Sequence, residues 1–339
     1  MDFRKNIAIF MIVAVLIIGG IFYFRFEVYY SHGSLKTSRF FEIKEGEGNL
    51  DIAGNLEEKG FISNKWYLYY YLRTHGKLNR LLPGEYELSG SLTIPEIVGN
   101  ITQGKDMAIK VTFPEGLTVK QLAQRLNDKS LPGDQFLSIA TDSPKWDFRS
   151  RYDFLSDQKI ATLEGFLFPD TYFFDKDATA EDIVTKLLDN FDRKLTSQMR
   201  QDIISRNSSI EDTIILASIV EREVQTAEDM KIVAGIFLNR INSGQRLQSD
   251  ATLSYALGDN EDSHSGKDLD LDSPYNSYRL SGLPPTPISN PGMNAILAAI
   301  YPQASGYNYF LTSTVNGTKE VMYAKTYDEH LANKKKAGL

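Results

Sequence analysis

One carboxylate lies where an apolar helix would normally carry none. Residues 214–223 follow a helical pattern, and the face that bears Glu221 is otherwise small or apolar, with Ile214, Ala217, Ser218 and Val224. Burial among aliphatic side chains penalises the charged form of a carboxyl group and raises its pKa towards neutrality. A group in that state can protonate the oxygen of a sugar leaving group, so Glu221 is the candidate general acid.

The same residues also allow a structural role for this helix end. Glu221 could pair with Arg222 or Arg240, or lie at the edge of the apolar stripe, because structural ion pairs also shift pKa values. Glu223 points to nearly the opposite side of a helix, and we expect it to be solvated. The helix by itself leaves both roles of Glu221 open.

Short polar and aromatic side chains further along the chain are candidates to bind a substrate. Gln248, Asp250 and Asn276 could form hydrogen bonds with the hydroxyl and N-acetyl groups of sugars. Tyr275 and Tyr278 could offer flat faces to sugar rings, or a hydroxyl near the reaction centre. The alternative for each residue is a buried hydrogen bond that fixes a loop.

The composition excludes several kinds of site. The chain of 339 residues has no cysteine, which rules out disulfides and cysteine-ligated zinc. Its four histidines form no His-Glu-x-x-His pattern, and neither a Gly-x-Ser-x-Gly elbow nor a nucleotide-binding glycine loop is present. A net charge of -7 argues against nucleic-acid binding. We therefore expect no metal, no cofactor and no nucleic-acid partner.

The N-terminus predicts a single membrane span. Every residue from 7 to 24 is apolar or glycine, close to the ~20 residues that a helix needs to cross a bilayer. The run is longer than the apolar part of a signal peptide, and no small-x-small cleavage site follows it. We predict a cytoplasmic tail over 1–6, a transmembrane helix over 7–25 and a stalk over 26–37, with the remainder outside the cytoplasm.

A strand, an acidic glycine turn and a short amphipathic helix are used twice after the stalk. Lys44-Glu45-Gly46 with Ile52-Ala53 and Leu56 recurs 70 positions later as Pro114-Glu115-Gly116 with Leu122-Ala123 and Leu126. Leu50 is expected on the apolar face of the first helix. Between the two copies the pattern predicts a helix over 66–73, a strand over 82–88 and a helix from 93 to about 104.

Longer motifs follow one another in a fixed order beyond the span. They are Leu82-Pro83-Gly84-Glu85-Tyr86, Thr112-Phe113-Pro114-Glu115-Gly116, Leu163-Glu164-Gly165-Phe166-Leu167-Phe168-Pro169-Asp170-Thr171-Tyr172, Ala217-Ser218-Ile219-Val220-Glu221-Arg222-Glu223, Leu247-Gln248-Ser249-Asp250, Pro274-Tyr275-Asn276-Ser277-Tyr278 and Gly282-Leu283-Pro284-Pro285. In these motifs the sequence resembles the membrane-anchored endolytic murein transglycosylases, the MltG or YceG-like family. The resemblance implies an α+β fold: an N-terminal transmembrane helix, a LysM-like β-α subdomain over 38–106, and a mixed α+β catalytic domain over 107–339 with the catalytic glutamate on a helix.

By this resemblance Glu221 is the catalytic residue. The implied reaction cleaves the β-1,4 bond between N-acetylmuramic acid and N-acetylglucosamine without water and leaves a 1,6-anhydro-muramyl end. One carboxyl group suffices, because it protonates the leaving oxygen and then accepts the proton of the C6 hydroxyl as that oxygen attacks C1. A hydrolase would normally use a second carboxylate, and the residues leave Glu164, Asp170 and Asp250 open for that role.

The resemblance also implies a biological setting. The enzyme would act on nascent glycan strands at the outer face of the inner (cytoplasmic) membrane and end their elongation. Peptidoglycan synthases, including penicillin-binding proteins, are the implied protein partners. The alternatives are a non-catalytic scaffold that binds peptidoglycan and recruits synthases, and a lysozyme-like hydrolase.

Two residues depart from the family pattern. Ala251 stands where the resemblance leads us to expect proline, and Thr286 stands where we expect glycine after the double proline. We expect both to alter loop geometry without removing a reactive group. Residues 258–272, rich in Asp, Ser and Gly, are expected to form a mobile surface loop.

Overall fold

The computed structural model describes residues 2–35, 37–102, 109–142, 147–156, 160–259, 264, 266–315 and 318–338. The chain divides into two compact units, Met1–Ile109 and Lys110–Leu339. Both units combine helices with two-stranded sheets, which confirms the α+β class. The predicted boundary between residues 106 and 107, and residues 260–263 and 265 of the predicted surface loop, lie outside the described residues.

The first unit follows the predicted order of elements. They are α1 (Asp2–Tyr29), β1 (Arg39–Ile43), α2 (Asn49–Glu58), α3 (Lys65–Thr74), β2 (Gly84–Leu88) and α4 (Ile94–Thr102). β1 and β2 pair antiparallel with Phe41 opposite Tyr86, and both side chains belong to the unit's core. Leu50 departs from the prediction, because it is 41% exposed in the first turn of α2, ahead of the buried stripe that starts at Ile52.

Helix α1 contains a segment that is long and apolar enough to cross a membrane, Phe10–Tyr29. The helix runs past the predicted span and through the first residues of the predicted stalk. Val28, in its last turn, is buried in the core of the first unit. The C-terminal end of α1 therefore packs as part of this unit.

The second unit is built mainly of helices. Its elements are β3 (Ile109–Thr112), α5 (Val119–Asn127), α6 (Gly133–Thr141), β4 (Thr171–Phe174), α7 (Ala180–Lys194), α8 (Ser197–Ser205), α9 (Ile210–Glu223), α10 (Ala227–Asn242), α11 (Asp250–Leu257), α12 (Met293–Ile300), β5 (Tyr309–Val315), β6 (Thr318–Ala324) and α13 (Tyr327–Ala337). β3 pairs with β4, and β5 with β6 forms an antiparallel hairpin. The short 3-10 helix Gly266–Asp270 lies within the predicted surface loop.

Helix α9 is the central element of the second unit. It begins after Ser209, whose hydroxyl accepts a hydrogen bond from the Asp212 N–H, and every residue from 213 to 220 is buried. Such all-round burial is typical of a core helix, and α9 packs against α8, α10, α11 and α12. The helix therefore holds its last turn, with Glu221 and Glu223, at a fixed place on the unit.

The repeated turn has the same backbone conformation at both places. Gly46 and Gly116 have φ of +81° and +80°, in the left-handed region that favours glycine. Each follows a strand and precedes a helix, α2 in the first unit and α5 in the second. The acidic residue before each glycine therefore lies just beyond the end of a strand.

Candidate active site

Residues 288–292 run beside the second half of α9. The Ile288 N–H donates to Ser218 Oγ at 3.0 Å, and Ser289 Oγ donates to the Ser218 carbonyl at 3.1 Å. One turn further along, the Gly292 N–H donates to Glu221 Oε2 at 3.0 Å. Ser218 therefore fixes the segment against the helix, and the segment presents a backbone donor to the candidate acid.

Glu221 has the raised pKa that the sequence predicts. Burial raises the pKa of this carboxyl to about 7, the Gly292 N–H opposes the rise, and the negative charge of Glu115 adds to it. The alternative that Glu221 forms an ion pair with Arg222 or Arg240 does not match the structure, because neither guanidinium contributes to this pKa shift. The amino end of α12 begins at Gly292, and its dipole also favours the carboxylate form.

Glu115 is a second carboxylate at this site that the sequence reasoning missed. A Cβ added to Gly292 would lie 1.9 Å from Glu115 Oε1, so the Glu115 carboxylate contacts the same residue that binds Glu221. Gly116, the residue after Glu115, lies next to Glu221, since a Cβ added to it would be 3.6 Å from Glu221 Cγ. The sequence feature from which Glu115 could have been found is the acidic glycine turn, because the internal repeat contains it twice.

We expect the Glu115→Gln substitution to move the pH profile of the reaction. Removing the negative charge lowers the pKa of Glu221, so the proton that makes Glu221 an acid is lost at lower pH. The alkaline limb of kcat/KM should therefore shift towards acid pH, while activity well below pH 6 changes little. An alkaline limb that stays in place or moves upward would show that Glu115 does not act on Glu221.

The prediction that Glu223 is solvated is wrong. The side chain is half-buried, and its carboxylate accepts hydrogen bonds from the Ser249 hydroxyl and from the Ala251 N–H. Burial raises the pKa of Glu223 to about 7, and Arg240 opposes this rise. Helical periodicity placed Glu223 correctly on the far side of α9, but it could not show that the segment before α11 covers that side.

Ala251 has a specific consequence here. Its N–H is a donor to Glu223, and a proline at this position would lack that N–H. Alanine therefore supplies a donor to the Glu223 carboxylate that the proline expected from the resemblance could not supply. Thr286, the other departure, places its hydroxyl 2.7 Å from the Tyr275 hydroxyl.

The Ser249→Ala substitution should destabilise the protein more at pH 8 than at pH 5. The Ser249 hydroxyl binds the ionised form of Glu223, which is populated only above its folded pKa of about 7, so the loss of about 1.5–3 kcal/mol appears at alkaline pH. Urea unfolding at both pH values measures this difference. In a Glu223→Gln background the same substitution should cost an equal amount at both pH values, and a pH-independent cost in the parent would contradict the assignment.

Three of the predicted substrate-binding residues form one cluster. Tyr278 donates from its hydroxyl to Asp250 Oδ1 at 2.9 Å, and the Gln248 N–H donates to the Ser277 carbonyl at 3.1 Å. Gln248 is exposed and has φ of +52°, a strained conformation for a residue other than glycine. The cluster adjoins Glu223, because Asp250 contributes to the raised pKa of that carboxyl.

The other two predicted residues are held by neighbouring loops. Asn276 is fully buried, its amide donates to the Leu269 and Leu271 carbonyls at 3.0 and 2.8 Å, and its Oδ1 accepts from the Tyr278 N–H. This arrangement matches the loop-fixing alternative. Tyr275 is half-buried and stacks at a tilt on Tyr255, with ring centroids 4.9 Å apart.

Glu164, one of the carboxylates left open by the sequence, is a structural group beneath the site. It is 4% exposed, both its oxygens accept from the Val119 N–H at 3.0 Å, and Oε1 also accepts from Asn290 Nδ2 at 2.9 Å. Burial raises the pKa of Glu164 to about 8 against the opposing effect of these donors and of Arg222. Asp170 is likewise engaged elsewhere, by Asn190 and by the Thr171 N–H.

Asn290 connects the three segments that build the site. Its Oδ1 accepts from the Gly165 and Leu167 N–H groups, both at 3.0 Å, and its Nδ2 donates to the Leu117 carbonyl at 3.0 Å. Its backbone carbonyl accepts a hydrogen bond from the Gly116 N–H, and its backbone N–H donates to the Leu117 carbonyl. Asn290 thereby fixes the turn that carries Glu115 and the residues that carry the Gly292 N–H.

These features define a class of site. A partly buried carboxylic acid with a pKa near 7 lies at a helix end, with one backbone donor for its anionic form, as general acid–base catalysis requires. Among the described residues no cluster of His, Asp and Glu is suited to hold a metal ion. Such a site is chemically suited to proton transfer from a carboxyl group.

The chain matches the YceG-like family over residues 41–336 and belongs to that family, which confirms the resemblance read from its motifs. It is 30% identical over 314 residues to a Bacillus subtilis protein named endolytic murein transglycosylase, covering 89% of this chain and 85% of that protein. It is 29% identical over 327 residues to the protein of that name from Streptococcus pneumoniae, of which it spans 57%. A YceG-like protein of Listeria monocytogenes shares its fold, with a TM-score of 0.60 and 34% identity over 88% of this chain and all of that one.

Proposed function

We propose that this protein is a membrane-anchored endolytic lytic transglycosylase. It cleaves the β-1,4 bond between N-acetylmuramic acid and N-acetylglucosamine in nascent peptidoglycan and leaves 1,6-anhydro ends. The observation that carries the proposal is the state of Glu221. Its carboxyl group has a pKa of about 7 and accepts a hydrogen bond from the Gly292 N–H at 3.0 Å. The names of the relatives supply the substrate class.

The reaction needs one group that is an acid first and a base afterwards. Neutral Glu221 donates its proton to the glycosidic oxygen as the bond from C1 to that oxygen breaks. The resulting carboxylate, held by the Gly292 N–H, accepts the proton of the C6 hydroxyl while O6 bonds to C1. No water is consumed, and Glu221 ends in its starting form. Burial favours the neutral form and the N–H favours the anion, so a pKa near 7 suits both steps.

The sugar-binding part of the site is proposed to be the cluster beside Glu223. Gln248 and Asp250 would form hydrogen bonds with hydroxyl and N-acetyl groups, and Tyr278 would contact a ring. The strained backbone of exposed Gln248 supports a binding role, since such conformations concentrate at functional sites. Tyr275 would line the same region, and Asn276 would hold the loop that carries both tyrosines.

The location of the enzyme is part of the proposal. Helix α1 would cross the inner membrane once, with both compact units on its outer side, and residues 38–106 would form a LysM-like subdomain that binds glycan. A site tethered in this way meets strands as they are made, and cleavage there would end their elongation in cooperation with peptidoglycan synthases.

Hydrolysis of the same bond is the second candidate. The presence of Glu115 near Glu221 favours it, because most glycoside hydrolases use a pair of carboxyl groups at the bond that they cleave. In that case Glu115 would act as the nucleophile or would activate water. Its exposed position and its place beside the same glycine as Glu221 allow either role.

Cleavage in water enriched in oxygen-18 separates the two reactions. A transglycosylase should release anhydro-muramyl products that carry no heavy oxygen and weigh one water less than reducing products. A hydrolase should place one heavy oxygen at each new reducing end, and the Glu115→Gln variant should then lose that incorporation. If most products of the parent enzyme carry heavy oxygen, the reaction is hydrolysis and the proposed transglycosylase function is wrong.

A further inference from the structure

Helix α3 in the first unit carries an aromatic stripe on its outer face. Trp66, Tyr69, Tyr70 and Arg73 follow the spacing of one helical face, and Trp66 and Tyr70 are each 50% exposed. The opposite face holds the buried residues Leu68, Tyr71 and Leu72. A helix on the surface of a soluble domain would place charged residues on its outer face, so this stripe needs an apolar or amphipathic partner.

The position of the stripe along α1 identifies that partner. The charge-free run at residues 7–24 contains 18 residues. As a helix it spans ~27 Å, close to the ~30 Å hydrocarbon thickness of a bilayer. Phe24 is its last residue and Arg25 is the first charge beyond it, so Phe24 marks the outer edge of the hydrocarbon. The Phe24 ring contacts Tyr67 and Tyr70 of α3, with centroids 5.8 and 6.2 Å apart.

Contacts further out on α1 show which side of α3 faces the bilayer. Tyr29, five residues beyond Phe24, contacts Tyr71 with ring centroids 6.4 Å apart. Tyr71 is therefore on the side away from the hydrocarbon, whereas Tyr70 is on the near side. Trp66 lies one helical turn before Tyr70 on the same face.

We propose that the outer face of α3 lies in the headgroup layer of the bilayer and seats the first unit on the membrane surface. This placement rests on the membrane anchoring in the proposed function. Tryptophan and tyrosine rings favour that layer because they combine an apolar body with a polar group. Lys65, with its ammonium 5.8 Å from the Trp66 ring centroid, and Arg73 supply cations for lipid phosphates.

The seating has a consequence for the enzyme. Val28 of α1 is buried in the same core as Leu68 and Leu72 of α3, so the spanning helix and the first unit form one body. Contact of α3 with lipid then fixes the orientation of that body on the surface. The first unit would meet glycan at a set height instead of sampling positions on a flexible tether.

Fluorescence quenching in lipid nanodiscs tests this placement with the full-length chain. The chain has two tryptophans, and the Trp146→Phe substitution leaves Trp66 as the single emitter. We expect strong quenching of Trp66 by phosphatidylcholine spin-labelled near the headgroup, weaker quenching by lipid labelled deep in the acyl chain, and little quenching by iodide. Emission that iodide quenches and neither lipid quenches, from protein still embedded in the discs, would overturn the proposal.

A matched reporter in the same unit provides the control. Leu50 is 41% exposed on α2, whose buried residues share a core with Leu68 and Leu72, on the side of α3 opposite the aromatic stripe. With both native tryptophans changed to Phe, a Leu50→Trp reporter should be quenched by iodide and not by the labelled lipids. Equal lipid quenching at both positions would overturn the specific seating on α3. Failure of the chain to remain with the discs would overturn the anchoring itself, and the seating with it.

Discussion

The Glu221→Gln substitution should lower the rate of glycan cleavage by about 10³-fold or more and leave the protein folded. General acid catalysis contributes about 10²–10⁴ to a rate, and here one group performs both proton transfers. Glutamine has nearly the same shape, and its carbonyl oxygen can still accept the Gly292 N–H. Single-turnover cleavage of purified glycan strands measures the loss, and circular dichroism checks the fold.

The stability of this variant should also differ from that of the parent in a defined pH window. The folded pKa of Glu221, about 7, is above its unfolded value near 4.5, so the parent loses stability as pH rises from about 4.5 through 7. Glutamine does not titrate, and the variant should lack this part of the decline. At pH 8 the variant should therefore be at least as stable as the parent.

Glu223→Gln is the matched control for the acid. Glu223 lies two residues further on the same helix end and also has a pKa of about 7, raised by burial, but it faces Ser249 and Ala251. We expect this variant to retain activity within about tenfold of the parent, since the group does not transfer the proton. Equal losses in the two variants would remove the distinction between an acid at Glu221 and a structural group at Glu223.

The Asn290→Ala variant should be destabilised by about 3–5 kcal/mol, the largest loss of stability expected from a single change at the site. The side chain is buried at 1% exposure and makes four hydrogen bonds, to Gly165, Leu167, Leu117 and Glu164. Alanine would remove the acceptor of two backbone N–H groups and one of the two donors to the buried Glu164 carboxyl group. Thermal unfolding should show a midpoint lower by about 8–15 °C.

Ser289→Ala provides the comparison one residue earlier. Ser289 is also fully buried, but it contributes a single hydrogen bond, from its hydroxyl to the Ser218 carbonyl at 3.1 Å. We expect a cost of about 1 kcal/mol for this variant. A cost for Asn290→Ala no greater than that of Ser289→Ala would show that Asn290 does not connect the three segments energetically.

Local sequence patterns were enough to predict the elements of the first unit and the burial of Glu221 on a helix. Apolar spacing placed Glu221 on a buried helix, and burial gave it a raised pKa without knowledge of any distant residue. The order of strands and helices in the first unit followed from caps, turns and periodicity. The glycine turns at Gly46 and Gly116 were visible because the same short pattern occurs twice.

The surroundings of the acid could not be predicted in this way. Glu115 and Gly292 are far from Glu221 in sequence, and only the packing of α9 against α12 and the turn after β3 brings them together. Periodicity gave the direction of Glu223 but not the segment that covers it. The four hydrogen bonds of the Asn290 side chain join residues that are far apart in sequence, and no local pattern predicts them.

The most direct test of the central claim is mass spectrometry of the products released from nascent glycan by the parent, Glu221→Gln and Glu223→Gln proteins in parallel. The account predicts 1,6-anhydro-muramyl ends from the parent and from Glu223→Gln, and none from Glu221→Gln. Anhydro ends from Glu221→Gln at the parent's rate would contradict the assignment of Glu221 as the acid. Reducing ends from the parent would contradict the proposed reaction.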